Sequence, residues 1–290
     1  MLEFKKVEIN DIELYKKFIE NTDELSCDAT FINLLVWQCS YNNMIAVSDG
    51  MLFIKAGSGE KESFRLPIGP DLKKGIELIK EYCGDRSPVF YASEGKSFQK
   101  FKESFGDEFE FTELRDNFDY IYNRENLAEL GGKKYHSKRN HINNFSKKFN
   151  WHYERITAEN IPDVKLCAKR WYEEKADKID RHMICERDGI ETILNNMETL
   201  CAKGGAIYVN GEVVAFTIGS AISDRVFNTH IEKALGDFSE GYAVINREFA
   251  KNELSGYELI NREEDMGIEG LRKAKLSYNP EILLKKYIIR

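Results

Sequence analysis

The chain is 290 residues long, with 42% hydrophobic and 31% charged residues. This composition is typical of a globular protein and excludes disordered, collagenous and membrane-embedded classes. At roughly 150 residues per domain, the length predicts about two domains, each large enough to fold without disulfides or metals.

Charge is distributed unevenly along the chain. The net charge is −7, which does not favour a general polyanion binder. Residues 1–130 carry 16 Lys and Arg against 25 Asp and Glu, whereas residues 131–290 carry 26 against 24. The segment 131–150 has six basic residues and no acidic ones. We therefore expect any anionic partner to bind there.

The six cysteines are dispersed, and no two of them have the two-residue spacing of zinc or redox motifs. We expect reduced thiols and no metal site. The first residues lack the layout of a signal peptide, and no apolar stretch approaches the ~20 residues of a bilayer span. The sequence therefore predicts a cytoplasmic protein without a transmembrane segment.

Residues 1–123 show the element order β-α-α-β-β-β-α-β-α-β-β. Alternating apolar residues predict strands, and apolar residues at helical spacing predict helices. The predicted strands are 4–8, 44–47, 51–55, 63–67, 89–92, 109–114 and 118–122. The predicted helices are 12–19, 29–37, 72–82 and 94–105. Ser48-Asp49-Gly50 indicates a hairpin turn between the second and third strands.

Residues 124–150 form a connector of two helical stretches broken at Gly131-Gly132. The second stretch carries Lys134, Lys138 and Arg139, whose side chains can donate charge-assisted hydrogen bonds to phosphate oxygens. We regard these three as candidate donor-binding residues. The alternative is a solvated helix face that pairs with the acidic first part of the chain.

Residues 151–290 repeat nearly the same order of elements, which predicts a tandem duplication. The predicted strands are 152–155, 205–209, 212–220, 226–232, 257–261 and 282–289, and Asn210-Gly211 indicates a hairpin turn between the second and third of them. The predicted helices are 161–174, 187–202, 243–254 and 268–277. We therefore predict an α/β (α+β) protein with mixed central sheets flanked by helices. Its predicted divisions are an N-terminal domain (1–123), the basic helical connector (124–150) and a C-terminal domain (151–290) that carries the site.

This order of elements resembles the Gcn5-related N-acetyltransferase (GNAT) fold. Two tandem copies resemble the FemABX-type aminoacyltransferases and the C-terminal domain family of phosphatidylglycerol lysyltransferase (DUF2156-like). The segments that carry the second resemblance are Lys134-Tyr-His-Ser-Lys-Arg-Asn140 with Ile142-Asn143, and Asn261-Arg-Glu-Glu-Asp-Met-Gly-Ile-Glu-Gly-Leu-Arg-Lys-Ala-Lys275.

The resemblance implies transfer of an acyl or aminoacyl group to an amine or hydroxyl. The implied donor is acyl-coenzyme A or aminoacyl-tRNA, bound as a substrate, with no tightly bound cofactor. The chain lacks the multi-span membrane half of the lipid-modifying enzymes, which puts a lipid acceptor in doubt. Peripheral contact with an anionic lipid surface remains a possible interaction.

On the predicted strand 226–232, alternation places Asn228, His230 and Glu232 on one side. A histidine beside a carboxylate can take a proton from an incoming amine, so His230 is a candidate base and Asn228 a candidate binding residue. The alternative is a histidine that is simply hydrogen-bonded at the sheet surface.

The turn from this strand to the next helix is less suited to coenzyme A. In acetyltransferases the corresponding turn is basic and glycine-rich, and its amides hold a pyrophosphate at the helix N-terminus. Here Gly241 is the candidate binding residue beside the helix, but Asp237 and Glu240 lie where an anion would approach. This departure favours a donor other than coenzyme A.

Arg262, Glu263, Glu264 and Asp265 follow a predicted central strand, where open α/β sheets place ligand sites. Alternation predicts that Glu263 and Asp265 point one way and Glu264 the other. Any of the three carboxylates is a candidate base, with Arg262 orienting it. The alternative is a cluster of charges that interacts with the dipole of the following helix.

Arg272, Lys275 and Tyr278 recur at three-residue steps and so share one helix face, as candidate binding residues. The resemblance implies that a tyrosine at the end of this helix, a place close to Tyr278, protonates the leaving thiolate. The alternative is that Tyr278 is a tyrosine packed at the surface.

We conclude that the chain is an acyl- or aminoacyltransferase. The competing hypothesis is a non-catalytic GNAT-fold module that binds RNA or an anionic membrane surface.

Overall fold

The computed structural model describes residues 2–19 and 22–290. The described part of the chain forms two mixed sheets flanked by helices. Elements of the first part are β1 (Lys5–Lys6), α1 (Ile12–Ile19), α2 (Phe31–Val36), α3 (Gln38–Tyr41), β2 (Met44–Ser48), β3 (Met51–Ala56), β4 (Ser63–Arg65), α4 (Leu72–Cys83), β5 (Phe90–Ser93), α5 (Lys96–Phe105), β6 (Phe111–Glu113) and β7 (Asp119–Asn123).

The connector contains α6 (Arg124–Glu129) and α7 (His136–Lys148), with the predicted break between them. The remaining elements are β8 (Trp151–Arg155), α8 (Ile161–Glu173), α9 (Arg181–Asn195), β9 (Lys203–Val209), β10 (Glu212–Ala221), β11 (Val226–Ala234), α10 (Gly241–Asn252), β12 (Leu259–Asn261), α11 (Glu269–Leu276), β13 (Ile282–Leu284) and β14 (Lys286–Ile289). The predicted mixed α/β class is confirmed.

Local sequence explains the two hairpin turns. Asp49 and Gly50 have φ values of 50° and 70°, and Asn210 and Gly211 have values of 52° and 83°. Positive φ at both central residues is the requirement of a type I′ turn, which matches the twist of the flanking strands. The β2–β3 and β9–β10 hairpins therefore form where the sequence predicted them.

Two helices depart from their predicted bounds. The predicted helix 29–37 is interrupted, because Thr30 caps α2 by accepting a hydrogen bond from the amide of Asn33. The predicted helix 187–202 begins earlier, since Asp180 accepts from the amide of Met183 and so starts α9 at Arg181.

The two sheets exchange strands. One sheet has the order β1-β2-β3-β4-β5-β14-β6, and the other has the order β13-β7-β12-β11-β10-β9-β8. The predicted strand 282–289 is thus wrong as a single strand, since β13 joins one sheet and β14 the other. Strand β7, from residues 1–123, lies between β12 and β13. Independent folding of the predicted domains stays a prediction, but neither sheet is built from one of them alone.

The largest hydrophobic core lies between the two parts of the chain. It contains Ile32 and Leu34 of α2 together with Ile190 and Ile193 of α9, all almost fully buried. Cys39 of α3 also lies beside Cys185 of α9, with Cα atoms 6.0 Å apart. The reduced state of the cysteines stays a prediction, and the contact between these two could not be predicted from their spacing in the sequence.

Candidate active site

The candidate site lies where β11 and β12 diverge. The two strands are parallel, and their last paired residues are Asn228 and Asn261. Beyond this pair β11 continues to Ala234, whereas the segment that follows β12 turns away at Glu263, whose φ is 59°. We call the space between the end of β11 and residues 262–265 the crevice. Open α/β sheets place ligand sites where neighbouring strands diverge in this way.

A β-bulge in β11 decides which side chains face each side of the crevice. Ile218 of β10 pairs with Ile231 and Gly219 pairs with Thr229, so His230 is an extra residue. Ser220 pairs with Asn228, and Thr217 pairs with Glu232. Since residues 217 and 220 face opposite sides of β10, Asn228 and Glu232 do too. The predicted alternation of Asn228, His230 and Glu232 on one side is therefore wrong for Glu232.

On one side lies the His230 cluster, which consists of Asn33, Ser220, Asn228, His230 and Glu263. His230 Nε2 is 2.8 Å from Ser220 Oγ, and its Nδ1 is 3.1 Å from Glu263 Oε1 and 3.0 Å from Asn33 Oδ1. The amides of Asn33 and Asn228 donate to the same Glu263 oxygen, at 2.9 and 2.7 Å. The cluster thus joins β10, β11, α2 and the segment after β12.

The Glu263 carboxylate is stabilised as an anion. Burial opposes its ionisation, but the hydrogen bonds from His230, Asn33 and Asn228 outweigh burial and lower the pKa of Glu263. The side chain of His230 is only 2% exposed. The predicted pairing of His230 with a carboxylate is therefore present, with Glu263 as the partner.

On the other side lies the Arg262 cluster, which consists of Tyr122, Glu232, Asn246, Arg262 and Tyr278. Arg262 Nη2 donates to Glu232 Oε1 at 2.6 Å, and Asn246 donates to the other carboxylate oxygen at 3.2 Å. The guanidinium carbon lies 4.7 Å from the ring centre of Tyr278 and 5.6 Å from that of Tyr122. Among the described residues, the buried Nη1 of Arg262 has no hydrogen-bond partner.

Lys138 of the connector joins the Arg262 cluster. Its ammonium lies 3.8 Å from the ring centre of Tyr278. Burial, together with the nearby Arg262 cation, lowers the pKa of Lys138 to about 8. The other two predicted connector residues lie elsewhere: Lys134 is exposed beside the Tyr135 ring, and Arg139 donates to the carbonyls of Leu130 and Gly132.

A third group, the Cys27 cluster, lies beside the His230 cluster and contains Cys27, Asp28, Asp119, Glu264 and Lys286. Lys286 Nζ lies 2.8 Å from Asp119, 2.9 Å from Asp28 and 3.3 Å from the Cys27 sulfur. Burial raises the pKa of Glu264 to about 7. Ligand atoms of Cys27, Asp119 and Glu264 lie within 4.8 Å of one another, a spacing suited to a metal. The Lys286 ammonium already supplies the positive charge there.

Asp265 and Lys275, two further candidates after β12, form hydrogen bonds with the backbone of residues 262–267. Asp265 is fully buried and accepts hydrogen bonds from Arg115, Tyr120 and Arg272. Burial opposes its ionisation, but the hydrogen bonds from Arg272 and Tyr120 outweigh burial and lower the pKa of Asp265. Lys275 donates to the carbonyls of Arg262 and Glu264. The strand ends at Asn261, so the predicted alternation of the three carboxylates does not apply. Instead Glu263 and Glu264 both face the segment Cys27–Asn33 of the first part.

Gly241 begins α10 and is buried. A Cβ atom there would lie 3.4 Å from Ala215 and 3.6 Å from Ala234, which are ordinary van der Waals contacts, so packing alone does not require glycine at this position. The neighbouring Glu240 accepts a hydrogen bond from Lys148 at 2.9 Å. The N-terminus of α10 therefore presents a carboxylate rather than a basic surface.

The sequence did not identify Asn33, Ser220, Asp119 or Lys286 as site residues. Asn33 and Asp119 belong to the first part of the chain, and Lys286 to a strand of the other sheet. Ser220 ends a predicted strand, but only the bulge brings it to His230. Buried polar residues within apolar runs are a weak signal for such positions, because most of them are merely hydrogen-bonded.

Comparison with known proteins identifies the family of this chain. The family model described as phosphatidylglycerol lysyltransferase, C-terminal, matches residues 20–290. A conserved protein of unknown function from Bacteroides thetaiotaomicron has a crystal structure with a TM-score of 0.93 and 36% identity, covering 100% of this chain and 99% of that one.

Two further structures share the fold at lower identity. The C-terminal domain (DUF2156) of a candidate lysylphosphatidylglycerol synthetase from Agrobacterium fabrum has a TM-score of 0.69 and 13% identity, covering 97% of this chain and 91% of that one. FemX has a TM-score of 0.57 and 10% identity, covering 99% and 96%. These likenesses confirm the predicted tandem fold.

A curated relative, an uncharacterised protein of Mycoplasmoides gallisepticum, is 23% identical over 186 residues, or 59% of this chain. The match spans about half of that relative, 55% of its length.

Proposed function

The chain belongs to the phosphatidylglycerol lysyltransferase C-terminal family, and from this premise we propose that it transfers an aminoacyl or acyl group to an amine or hydroxyl. The observation that carries the proposal is the His230–Glu263 pair at the crevice between β11 and β12. A histidine held by a carboxylate acts as a general base, and such a base contributes about 10²–10⁴-fold to a transfer reaction.

Proton transfer in this proposal uses the geometry of the His230 cluster. Glu263 and Asn33 present oxygens to Nδ1, and the Asn228 amide nitrogen 2.9 Å from Nδ1 donates to Glu263. With the proton of the neutral ring on Nδ1, Nε2 is the nitrogen that takes a proton. The carboxylate of Glu263 stabilises the imidazolium that results. Hydrogen bonds from Asn33 and Asn228 keep Glu263 ionised and fixed in position.

We propose an aminoacyl ester, as in aminoacyl-tRNA, as the donor in preference to acyl-coenzyme A. The carboxylate of Glu240 leaves the start of α10 poorly suited to a pyrophosphate. Lys138 and the unpartnered Nη1 of Arg262 instead offer positive charge at the other side of the crevice. The donor is a substrate, and the proposal involves no resident cofactor.

Location and partners follow from the same proposal. No described helix, in residues 2–19 or 22–290, has the length and apolarity needed to cross a bilayer. We propose a cytoplasmic protein that meets aminoacyl-tRNA there. Where the acceptor is a lipid hydroxyl, the protein contacts the anionic surface peripherally.

The test supplies a pool of radiolabelled aminoacyl-tRNAs, and separately acetyl-coenzyme A, to the purified protein. Phosphatidylglycerol vesicles provide a hydroxyl acceptor, and a small primary amine provides the other acceptor class. We expect label to move from tRNA to one acceptor, and Glu263→Gln to slow this transfer by about 100-fold or more. Glu269→Gln changes an exposed carboxylate of α11 and should transfer at the normal rate.

Two results would contradict the proposal. One is the absence of transfer from either donor by folded protein, and the other is normal transfer by Glu263→Gln. Binding of tRNA or anionic vesicles without transfer would support the alternative, a non-catalytic binding module. The acidic start of α10 is the observation that favours that alternative.

A further inference from the structure

Ser220, His230 and Glu263 form a continuous hydrogen-bonded chain. The serine hydroxyl is 2.8 Å from His230 Nε2, and Nδ1 on the opposite edge of the ring is 3.1 Å from Glu263 Oε1. A serine, a histidine and a carboxylate in this order are the parts of an activated nucleophile. Such a set is recognised by its geometry rather than by its order in the sequence.

The surroundings of the imidazole determine which nitrogen carries the proton. Nδ1 has three polar neighbours: the acceptor oxygens Oε1 of Glu263 and Oδ1 of Asn33, and the amide nitrogen of Asn228 at 2.9 Å. Because that amide donates to Glu263 at 2.7 Å and the other two neighbours are acceptors, we assign the proton of the neutral ring to Nδ1 and the lone pair to Nε2. The hydroxyl of Ser220 donates to Nε2, which is the arrangement needed to remove its proton.

Because the His230 imidazole is buried, it exchanges protons with a substrate through the hydroxyl of Ser220. Only 2% of the His230 side chain is exposed, and its Nε2 is occupied by the serine hydroxyl. Ser220 is itself 6% exposed, but it is followed at the end of β10 by the exposed Ala221. Along β10, Ser220 is therefore one residue from the exposed end of the strand.

Two unusual backbone features create this chain. The bulge at His230 turns the imidazole toward Ser220, and Glu263 adopts a φ of 59° that few residues other than glycine adopt. Strained backbone of this kind persists where the surroundings hold it, and it concentrates at active sites. Hydrogen bonds from Asn33 and Asn228 hold the Glu263 side chain in this conformation.

We infer that Ser220 is a nucleophile that carries the acyl group as an ester between donor and acceptor. This inference rests on the proposed transfer function. In the first step Ser220 Oγ bonds to the carbonyl carbon of the donor ester, and its proton moves to His230 Nε2. The bond from that carbon to the donor oxygen breaks, and the proton passes to the departing hydroxyl.

The second step reverses the roles. The acceptor amine or hydroxyl attacks the carbonyl carbon of the acyl-serine and gives its proton to Nε2. The bond to Ser220 Oγ breaks, and the proton returns to the serine oxygen. Ester exchange of this kind needs no oxidant, metal or additional reactant.

The test uses the full chain with two small probes, p-nitrophenyl acetate and an alkyl fluorophosphonate. Intact mass and peptide mapping would identify the modified residue. We expect one adduct on Ser220, none in Ser220→Ala, and labelling slowed about 100-fold or more in His230→Gln. Ser223→Ala removes a serine three residues further along the same segment and should label normally.

The results separate this inference from the proposed function. Labelling at another residue, absence of labelling in folded protein, or transfer by Ser220→Ala at the normal rate each overturns the nucleophile. An adduct on Ser220 without transfer from any donor overturns the proposed function alone. If Ser220→Ala fails to fold, Ser220→Cys keeps a small nucleophile, and the absence of a thioester with p-nitrophenyl acetate then overturns the inference.

Discussion

Lys286 shows how one residue links the two parts of the chain. It lies in β14 of one sheet, yet its ammonium is 2.8 Å from Asp119 of β7 in the other. Both side chains are buried, with Asp119 fully so and Lys286 6% exposed. A buried pair of charges is stable only while each charge keeps its partner. The sequence could not indicate this pair, because its members are distant along the chain.

We therefore expect Lys286→Met to lower the free energy of unfolding by about 3–5 kcal/mol, because Asp119 would remain buried and charged without its cation. Urea denaturation measures this change. Lys285→Met is the matched control, since the adjacent Lys285 forms an exposed pair with Glu113. A small loss for Lys286→Met, equal to that of the control, would show that the pair does not stabilise the fold.

Glu264 gives a prediction about pH. Burial, the largest cause, raises the pKa of this carboxyl to about 7, while Lys286 acts in the opposite direction. The folded state therefore holds a proton that the unfolded chain has already released, and Glu264 reduces stability as the pH rises from about 4.5 to 7. Glutamine at this position mimics the protonated form at every pH.

We expect Glu264→Gln to gain stability relative to the unaltered protein between pH 5 and pH 8, by on the order of 2 kcal/mol. Denaturant unfolding of both proteins at both pH values measures this difference in stability. The other titrating groups contribute equally to both proteins, so their effects cancel. Glu269→Gln, at an exposed position, should give the same difference at both pH values. A constant difference for Glu264→Gln as well would contradict the prediction.

At the scale of elements, regular strands and tight turns could be predicted, and irregular ones could not. Asp49-Gly50 and Asn210-Gly211 have a local conformational preference, so both hairpins were found at their positions. The bulge in β11 leaves no such signal, because residues 226–232 alternate without a break. Its position depends on the pairing with β10, which shifts between Ile218 and Gly219. The side of the crevice that Glu232 faces was therefore mistaken.

The same reason explains why the last strand was misjudged. Residues 282–289 are continuously compatible with a strand, and the division into β13 and β14 is set by two different partners. β13 pairs with β7, whereas β14 pairs with β5 and β6. Local propensity predicts that a segment is extended, but its neighbours decide which sheet it joins. His230 and Glu263, by contrast, are near each other through adjacent strands, and the sequence did identify them.

At the scale of the whole molecule, exchange of strands makes the two sheets depend on each other. β14 separates β5 from β6, and β7 separates β12 from β13. A chain cut between residues 123 and 124 would leave β6 without a neighbour in one fragment and β13 without one in the other. The shared core between α2 and α9 would also be divided.

We therefore expect fragments 1–123 and 124–290 to show no cooperative unfolding when each is purified alone, and to form a folded complex when they are expressed together. Circular dichroism during urea denaturation measures this. Joining residues 285–290 to fragment 1–123 through a short flexible linker restores β14 to its sheet, so this version should regain more structure than 1–123 alone. A full cooperative transition in unextended 1–123 would show instead that the predicted N-terminal domain folds independently and that β14 only adds to a finished sheet.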